Sequence, residues 1–294
     1  MIKLRTLLKL LPIAMLCACS GGRVVQMAGE SESAYRAGDY DRALKNAEQI
    51  IDELNRKHKT AQAGVYAVAG KSAWELGQYG KSLSYLEQAQ KLGQNDEMSL
   101  VMLAGNYRRT DNLSKEIDAL TECLRVHPDG TRADSLRSRL LATCAESENY
   151  ELADRLWMQM DPGQRQSLEA MEAYLEINRA RDNESLSDSL AGSILDRDPD
   201  NAAALRHFAE KYFWKAENRY QAEMKAYADH RTTSQYKKLL EAFKTVTADF
   251  KESLSCFKKL YSIDPDPEIA NYLGNIYTRL DDEQTAKYYF NRAK

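Results

Sequence analysis

The sequence is poor in the residues that build turns. Of its 294 residues only 14 are glycine and 6 are proline, which is too few for a β-sandwich or barrel with its frequent turns. Ala, Leu, Glu, Lys, Gln and Arg dominate instead, and they predict an all-α body. A mean hydropathy of -0.61 with 43% hydrophobic residues excludes both a disordered chain and an integral membrane bundle.

The sequence also lacks an excess of basic charge. It has 41 basic and 44 acidic residues, a formal net charge of -3. The segment before Cys19 contributes three of the basic residues and no acidic one, so its removal would leave a charge of about -6. A mildly acidic body is a poor ligand for a phosphate backbone, and we expect no nucleic acid among the partners.

Catalytic and metal-binding patterns are missing as well. The four histidines are scattered, and none lies in an H-E-x-x-H pattern or near a cysteine pair. Gly70-Lys71-Ser72 resembles the end of a phosphate-binding loop, but Gly64 is one residue off the required spacing. No carboxylate pair stands out from the charge of the helix surfaces. We therefore predict no enzyme activity, no metal and no cofactor.

The N-terminal segment resembles a bacterial lipoprotein signal. Residues 1–18 have a basic start followed by a leucine-rich run from Leu7 to Leu16, too short to span a bilayer of roughly 30 Å. The run ends in Leu16-Cys17-Ala18-Cys19-Ser20, which resembles a lipobox with the small residue just before Cys19. An ordinary cleaved signal with an incidental cysteine is the alternative.

The resemblance implies a signal peptide at 1–18, lipidation of Cys19 and a short linker at 19–26. Ser20 after the cysteine is typical of transport to the outer membrane. Gly21-Gly22-Arg23 replaces the acidic residues of the surface-export signal of Bacteroidota, so we expect the protein to face the periplasm.

Cysteine number argues against a disulfide framework. Beyond Cys19 only Cys123, Cys144 and Cys256 remain, and an odd number leaves at least one thiol free. Their apolar neighbours at helical spacing indicate small buried side chains. A bridge between Cys123 and Cys144 is the alternative.

A repeated pattern organises the rest of the chain. The segment from Ala34 to Leu44 recurs from Ala73 to Leu83, and turns of the same kind return at Asp111-Asn112-Leu113 and Asn149-Tyr150. The turn positions Gly77, Asp111 and Glu148 follow one another at 34 and 37 residues. These features resemble the tetratricopeptide repeat, a helix–turn–helix unit of about 34 residues. Small residues at Gly70, Ala104 and Gly274 match its close helix contacts, and Tyr79, Leu113 and Tyr150 match the large residues that begin each second helix.

The resemblance implies a right-handed solenoid of about seven repeats over 27–294. One unit departs from it, because Pro199 to Pro265 is about twice the length of a repeat. Apolar residues at helical spacing continue through this segment without a central turn signal. We predict one lengthened helical hairpin at about 202–262; two ordinary repeats are the alternative.

The family commonly binds extended peptides on its concave surface, and this implies a set of partner-binding residues. They are Lys71, Trp74, Arg108, Arg109, Asn271 and Asn275. Trp74 beside the two arginines would suit an aromatic and acidic peptide. Two further surfaces are expected: the lengthened hairpin, with its basic residues, and Tyr288 on the last helix, which ends without an extra polar helix.

These features together predict a lipid-anchored scaffold that binds proteins or peptides in the envelope of a Gram-negative, Bacteroidota-like bacterium. The last helix is also a candidate surface for self-association. The second hypothesis is a binding protein for a small solute or glycan, with aromatic residues lining its pocket. The candidates for that pocket are Trp74, Tyr212, Phe213 and Trp214.

Overall fold

A computed structural model describes the backbone of residues 11–294 and the side chains from residue 22 onward. The first part of the predicted signal peptide and the side chain of Cys19 lie outside these described residues. The described part of the chain contains fifteen α-helices and no strand. They are α1 (Leu11–Arg36), α2 (Tyr40–Arg56), α3 (Ala63–Glu75), α4 (Tyr79–Lys91), α5 (Glu97–Arg109), α6 (Leu113–Val126), α7 (Ala133–Glu146), α8 (Tyr150–Gln159), α9 (Pro162–Arg165), α10 (Leu168–Ala180), α11 (Glu184–Leu195), α12 (Ala202–Asp229), α13 (Thr233–Ile263), α14 (Pro267–Arg279) and α15 (Glu283–Phe290).

The helices form two compact units, Met1–Ser147 and Glu148–Lys294. In the first unit α1/α2, α3/α4 and α5/α6 are contacting pairs, and each pair also contacts the next helix along the chain. The second unit repeats this arrangement with α10/α11, α12/α13 and α14/α15. Each unit is therefore a stack of antiparallel helix pairs, as the predicted all-α repeat fold requires. None of the described helices is long and apolar enough to cross a membrane.

The turn between the two helices of a repeat has the same backbone form along the chain. One residue of the turn has a positive φ. It is glycine in the first two repeats, at Gly38 and Gly77, and a residue with a side chain in four later repeats, at Asp111, Glu148, Asp182 and Asp281. Left-handed backbone strains a residue with a Cβ, and Asp tolerates it better than Glu. The turn signal seen in the sequence is thus a backbone requirement.

Small residues allow the two helices of a pair to approach closely, as predicted. A Cβ on Gly70 would lie 2.6 Å from Cγ of Leu86, and one on Gly274 would lie 2.6 Å from Cδ1 of Phe290. Ala104 is fully buried. The second helices α4, α6 and α8 begin at the large residues Tyr79, Leu113 and Tyr150, so these predictions are confirmed.

The lengthened hairpin is also confirmed, and the alternative of two ordinary repeats is wrong. Helix α12 has 28 residues and α13 has 31, whereas an ordinary helix of this chain has about 13. The half of the hairpin near its two ends packs into an apolar core around Phe213, Phe250 and Phe257. The other half extends past this core.

Two details differ from the expectations, and one alternative is ruled out. Residues 19–26, predicted as a linker, are part of α1, because Val24, Met27 and Ala28 recur at helical spacing and pack on the first core. The fourth repeat, α7 with α8, is divided between two compact units, a division that the sequence does not predict. The alternative bridge is not formed, since Cys123 and Cys144 are buried and no disulfide joins them.

Candidate binding surfaces

Trp74 and Arg109 meet at one aromatic side chain. The Tyr79 ring packs edge-on against the Trp74 indole, with 5.2 Å between the ring centroids. The Arg109 guanidinium carbon lies 3.7 Å from the centre of the Tyr79 ring. Trp74 comes from α3, Tyr79 begins α4 and Arg109 ends α5, so the stacking of three helices builds this group. A half-buried indole and an exposed cation on a tyrosine ring form a candidate contact for an aromatic or acidic ligand.

Lys71, also predicted as a ligand contact, lies near a carboxylate and an aromatic ring that stabilise its positive charge. Its Nζ is 3.7 Å from a carboxylate oxygen of Asp96 and 5.4 Å from the centre of the Tyr35 ring. Burial, followed by the nearby carboxylate of Glu75, raises the pKa of Tyr35 to about 12. The phenol is therefore neutral at physiological pH and offers Lys71 a ring face without a charge.

Arg108 is engaged within the first unit. Its two terminal nitrogens donate to both carboxylate oxygens of Glu146, at 2.5 and 2.6 Å. A further carboxylate, on the fully buried Glu116, lies 3.7 Å away. The hydrogen bonds to Glu146 come first among the effects that raise the pKa of Arg108. Arg108 thus joins α5 to α7, and a ligand carboxylate would have to displace the exposed Glu146 to bind it.

The predicted residues of the second unit are exposed and do not form one group. Asn271 and Asn275 lie one turn apart on α14, and the Asn275 amide donates to the Asn271 carbonyl oxygen at 2.9 Å. Tyr288 on α15 is 48% exposed, and its ring is covered on one side by the Arg292 guanidinium at 3.6 Å.

The sequence did not reveal a cleft in the second unit. This cleft has a volume of about 710 Å³ and lies between α10, α11 and α12. Its charged side chains are mostly paired: Arg179 bridges Glu176 and Glu210, and Lys211 bridges Glu184 and Asp188. Trp214 stands at its edge with half of its surface exposed.

His207 also lines this cleft, but it is buried and has a partner. Its Nε2 lies 2.8 Å from Oδ1 of Asp188. Burial opposes ionisation of Asp188, but hydrogen bonds from Lys211 and His207 outweigh it and lower the pKa of that carboxyl. The described residues contain no group of His, Cys, Asp and Glu suited to a metal ion.

The outer part of the long hairpin presents a different surface. We call residues 218–245 the arm. Tyr227 packs on Tyr236 and Tyr220 stacks on Phe243, so the two helices of the arm cover each other. Met224, Tyr236 and Leu240 nevertheless remain 37% to 47% exposed.

The arm carries six cations and three carboxylates. Among the described residues, five of its cations have no carboxylate within 4.0 Å; only Lys244 has one, on Glu241. The unpaired cations are Arg219, Lys225, Arg231, Lys237 and Lys238. Exposed apolar side chains beside unpaired cations distinguish the arm from the other surfaces described above.

The base of the arm is fixed by α14. Arg279 donates to both carboxylate oxygens of Glu217, at 2.7 and 2.8 Å, and its guanidinium carbon lies 4.3 Å from the centre of the Tyr220 ring. A planar guanidinium suits both contacts at once. The hairpin is therefore braced at its exit from the core.

Comparison with known proteins supports the fold. Residues 63–96, which include α3 and α4, match the family model described as tetratricopeptide repeat. YrrB, described as a TPR protein with an unusual peptide-binding site, is 14% identical with a TM-score of 0.51; the match covers 66% of this chain and 96% of YrrB. PilW, described as a widely conserved type IV pilus biogenesis factor, is 12% identical with a TM-score of 0.50, covering 77% and 90%.

A tetratricopeptide repeat protein from Parabacteroides merdae is 13% identical with a TM-score of 0.49, over 92% of this chain and 91% of that protein. None of the curated proteins matches the sequence. The family match over residues 63–96, with the likeness to YrrB and PilW, shows that the chain has a fold of the tetratricopeptide type. Proteins of that type are generally non-enzymatic interaction scaffolds.

Proposed function

We propose that this protein is a lipid-anchored scaffold in the envelope of a Gram-negative bacterium. Cys19 would carry the lipid, and the helical body would lie at the periplasmic face of the outer membrane. The lipobox-like Leu16-Cys17-Ala18-Cys19 and the short apolar run before it support this proposal. Anchoring raises the local concentration of a tethered body at the membrane, which is how a scaffold without chemistry of its own can act.

The arm carries the partner-binding part of the proposal. If the arm only supported the fold, it would not need exposed apolar side chains. It would also not need several unpaired charges of the same sign. The arm combines Tyr236 and Leu240, each about half exposed, with the unpaired Lys237 and Lys238 on the same helix. We infer a partner protein with an acidic and partly apolar surface. The Trp74–Tyr79–Arg109 group is the second contact, for an extended peptide.

The anchor is tested by metabolic labelling with a fatty-acid analogue in a Gram-negative host. We expect the wild type to take up the label and to fractionate with membranes, whereas Cys19→Ala loses both properties. Cys17→Ala is the matched control and should behave as the wild type. Labelling that survives Cys19→Ala would show that the anchor has been placed on the wrong residue.

The arm is tested by crosslinking in cells and capture of the tagged protein. One variant replaces residues 222–241 with a short turn, and a second carries Lys237→Glu and Lys238→Glu. Both should lose a partner that the wild type captures. Lys251→Glu with Lys258→Glu reverses two exposed charges on the same helix and is the control. A partner captured equally by all four proteins would contradict the role of the arm.

A binding protein for a small solute or glycan is the alternative function, and the cleft beside Trp214 is the observation in its favour. Such pockets are usually lined by apolar side chains, whereas more than half of the residues that line this one are charged. Of the predicted aromatic residues, Phe213 is buried in the core. Saturable quenching of tryptophan fluorescence by a sugar, lost in Trp214→Ala, would support this alternative.

A further inference from the structure

The first unit carries a second apolar and cationic surface, at the end where α1 enters the fold. A cleft of about 320 Å³ lies between α1, α2 and the start of α3, and its apolar walls include Val24, Val25, Ala28 and Leu54. Val25 is 70% exposed. We call this cleft with its rim the N-terminal face.

The rim of the N-terminal face is cationic. Arg23 comes from α1, Arg56 and Lys57 end α2, and Lys59 follows on the loop. Two carboxylates, Asp52 and Glu53, lie near them, and Glu53 is paired with Lys57 at 2.6 Å. That hydrogen bond comes first among the effects that lower the pKa of Glu53, and the charges of Arg23 and Arg56 add to it. Lys57 and Lys59 line the cleft itself, whereas Arg23 and Arg56 lie near Glu53. No ion pair within 4.0 Å neutralises Arg23, Arg56 or Lys59 among the described residues.

The opposite end of the same two helices has the reverse balance. Residues 30–48 contain five carboxylates and three cations, whereas residues 22–29 and 52–59 together contain four cations and two carboxylates. The first helix pair is thus polarised along its length, with its positive end at the N-terminal face.

The chain length limits how far this face can lie from Cys19. Val24 is only five positions after Cys19, so their Cα atoms are at most roughly 18 Å apart when the chain is fully extended. In a helix the separation is about 7.5 Å. If Cys19 carries a diacylglycerol, the wall of the cleft at Val24 lies within about 18 Å of the attachment point, which leaves the cleft within reach of the lipid headgroups.

We propose that the N-terminal face docks on anionic phospholipid headgroups and so fixes the orientation of the first unit at the membrane. This proposal rests on the lipid anchor proposed above. Apolar side chains with a cationic rim suit the interface, where the apolar groups enter the headgroup and acyl boundary and the cations meet phosphates. The lipid anchor then attaches the protein to the membrane. The N-terminal face determines which side of the first unit points away from the membrane.

The test uses the full lipidated protein, processed in cells and placed in vesicles of phosphatidylcholine with or without phosphatidylglycerol. Val25→Cys carries an environment-sensitive fluorophore in a Cys256→Ser background; Cys123 and Cys144 are buried. We expect a blue shift of the emission, and quenching by nitroxide lipids, only with phosphatidylglycerol. A label at the exposed Ser114→Cys should show neither effect.

Charge variants identify the cause. Arg23→Glu with Lys59→Glu should abolish the shift at position 25 while the protein stays in the vesicles. Arg42→Glu with Lys45→Glu, at the opposite end of α2, should leave the shift intact. If the fluorophore at position 25 shows no emission shift although the protein is anchored in the vesicles, the proposal is overturned. A shift that followed protein density and ignored phosphatidylglycerol would also overturn it, in favour of contact between two copies.

Mass spectrometry of the same sample separates the two proposals. Absence of the diacylglycerol on Cys19 would refute the anchor, whereas a lipidated protein whose Val25 label stays in water would refute the membrane face alone.

Discussion

The indole of Trp74 occupies the space that a side chain at position 105 would need. A Cβ on Gly105 would lie 2.5 Å from Cη2 of Trp74 and 3.1 Å from Cζ3. Gly105 is buried in α5, and Trp74 comes from α3 of the preceding repeat. The absence of a side chain at one position therefore determines where the aromatic part of a candidate binding group lies.

Gly105→Ala should destabilise the protein because the rigid ring has little room to move. Overpacking of this kind costs about 1–3 kcal/mol, which urea unfolding would detect. Gly64→Ala in α3 is the matched control, because a Cβ there meets nothing within 4 Å; it should be neutral or stabilise by up to about 1 kcal/mol. In a Trp74→Ala background, Gly105→Ala should no longer be costly. An equal cost in both backgrounds would show that the ring is not the obstacle.

The turn of the fourth repeat is strained because a glutamate occupies the left-handed position. Glu148 has φ of 55°, where two other repeats have glycine. Glu148→Gly should therefore raise the free energy of unfolding by about 0.5–1 kcal/mol, measured by chemical denaturation. The reverse change at Gly77, with φ of 71°, should lower it. If Glu148→Gly lowered the free energy of unfolding instead, the Glu148 side chain would stabilise the protein by more than its left-handed backbone destabilises it.

The repeat turns and the close helix contacts were predictable because both depend on residues near in sequence. A glycine or aspartate at a fixed offset before a large residue marks the turn in any single repeat. The lengthened hairpin was predictable for a similar reason, since its apolar spacing continues where a turn signal should stand.

The partners of individual charges were not predictable. Arg108 looked like an open groove residue, yet its carboxylate is Glu146, 38 residues further on. This pair exists only because two successive repeats stack in one register. The cleft beside Trp214 was missed for the same reason, because its walls come from three helices that show no common motif. The early start of α1 was hidden by Gly21-Gly22, which reads as a linker.

The brace at the base of the arm should contribute to stability and depend on pH. Arg279 holds Glu217 by two hydrogen bonds, which lower the pKa of this carboxyl against the opposing effect of burial. A lowered pKa means that the stabilisation is present above the ordinary glutamate value of 4.5 and is lost as the pH falls through the folded-state value. Glu217→Gln should cost about 1–2 kcal/mol at neutral pH and flatten the acid limb of the stability profile. Glu241→Gln, whose pair with Lys244 is exposed, should change little. An unchanged acid limb in Glu217→Gln would contradict the role of the brace.

Glu116 should be the most sensitive carboxylate of the first unit. It is fully buried, and Arg139 donates to its Oε1 at 2.8 Å while Arg108 lies 3.7 Å from its Oε2. Glu116→Ala leaves both guanidinium groups without this partner and opens a void, so we expect a loss of about 2–4 kcal/mol in the free energy of unfolding. Glu146→Ala removes an exposed partner of Arg108 and should cost less than about 1 kcal/mol. Comparable losses in the two variants would show that Arg108 depends on Glu146 as much as on the buried carboxylate.

The buried thiols should resist modification in the folded protein. Burial, and then the nearby carboxylates of Glu97 and Asp96, raise the pKa of Cys123 to about 11, so at pH 8 only about one molecule in a thousand carries the reactive thiolate. Cys256 is half-buried, and its pKa is raised by burial as well. In protein processed and lipidated at Cys19, a thiol reagent at pH 8 should label Cys256 slowly and alone, and Cys256→Ser should abolish this labelling; in urea Cys123, Cys144 and Cys256 should all be labelled rapidly. Fast modification of Cys123 in the absence of denaturant would mean that α5 and α6 separate readily, because its sulfur lies against the Glu97 carbonyl at the start of α5.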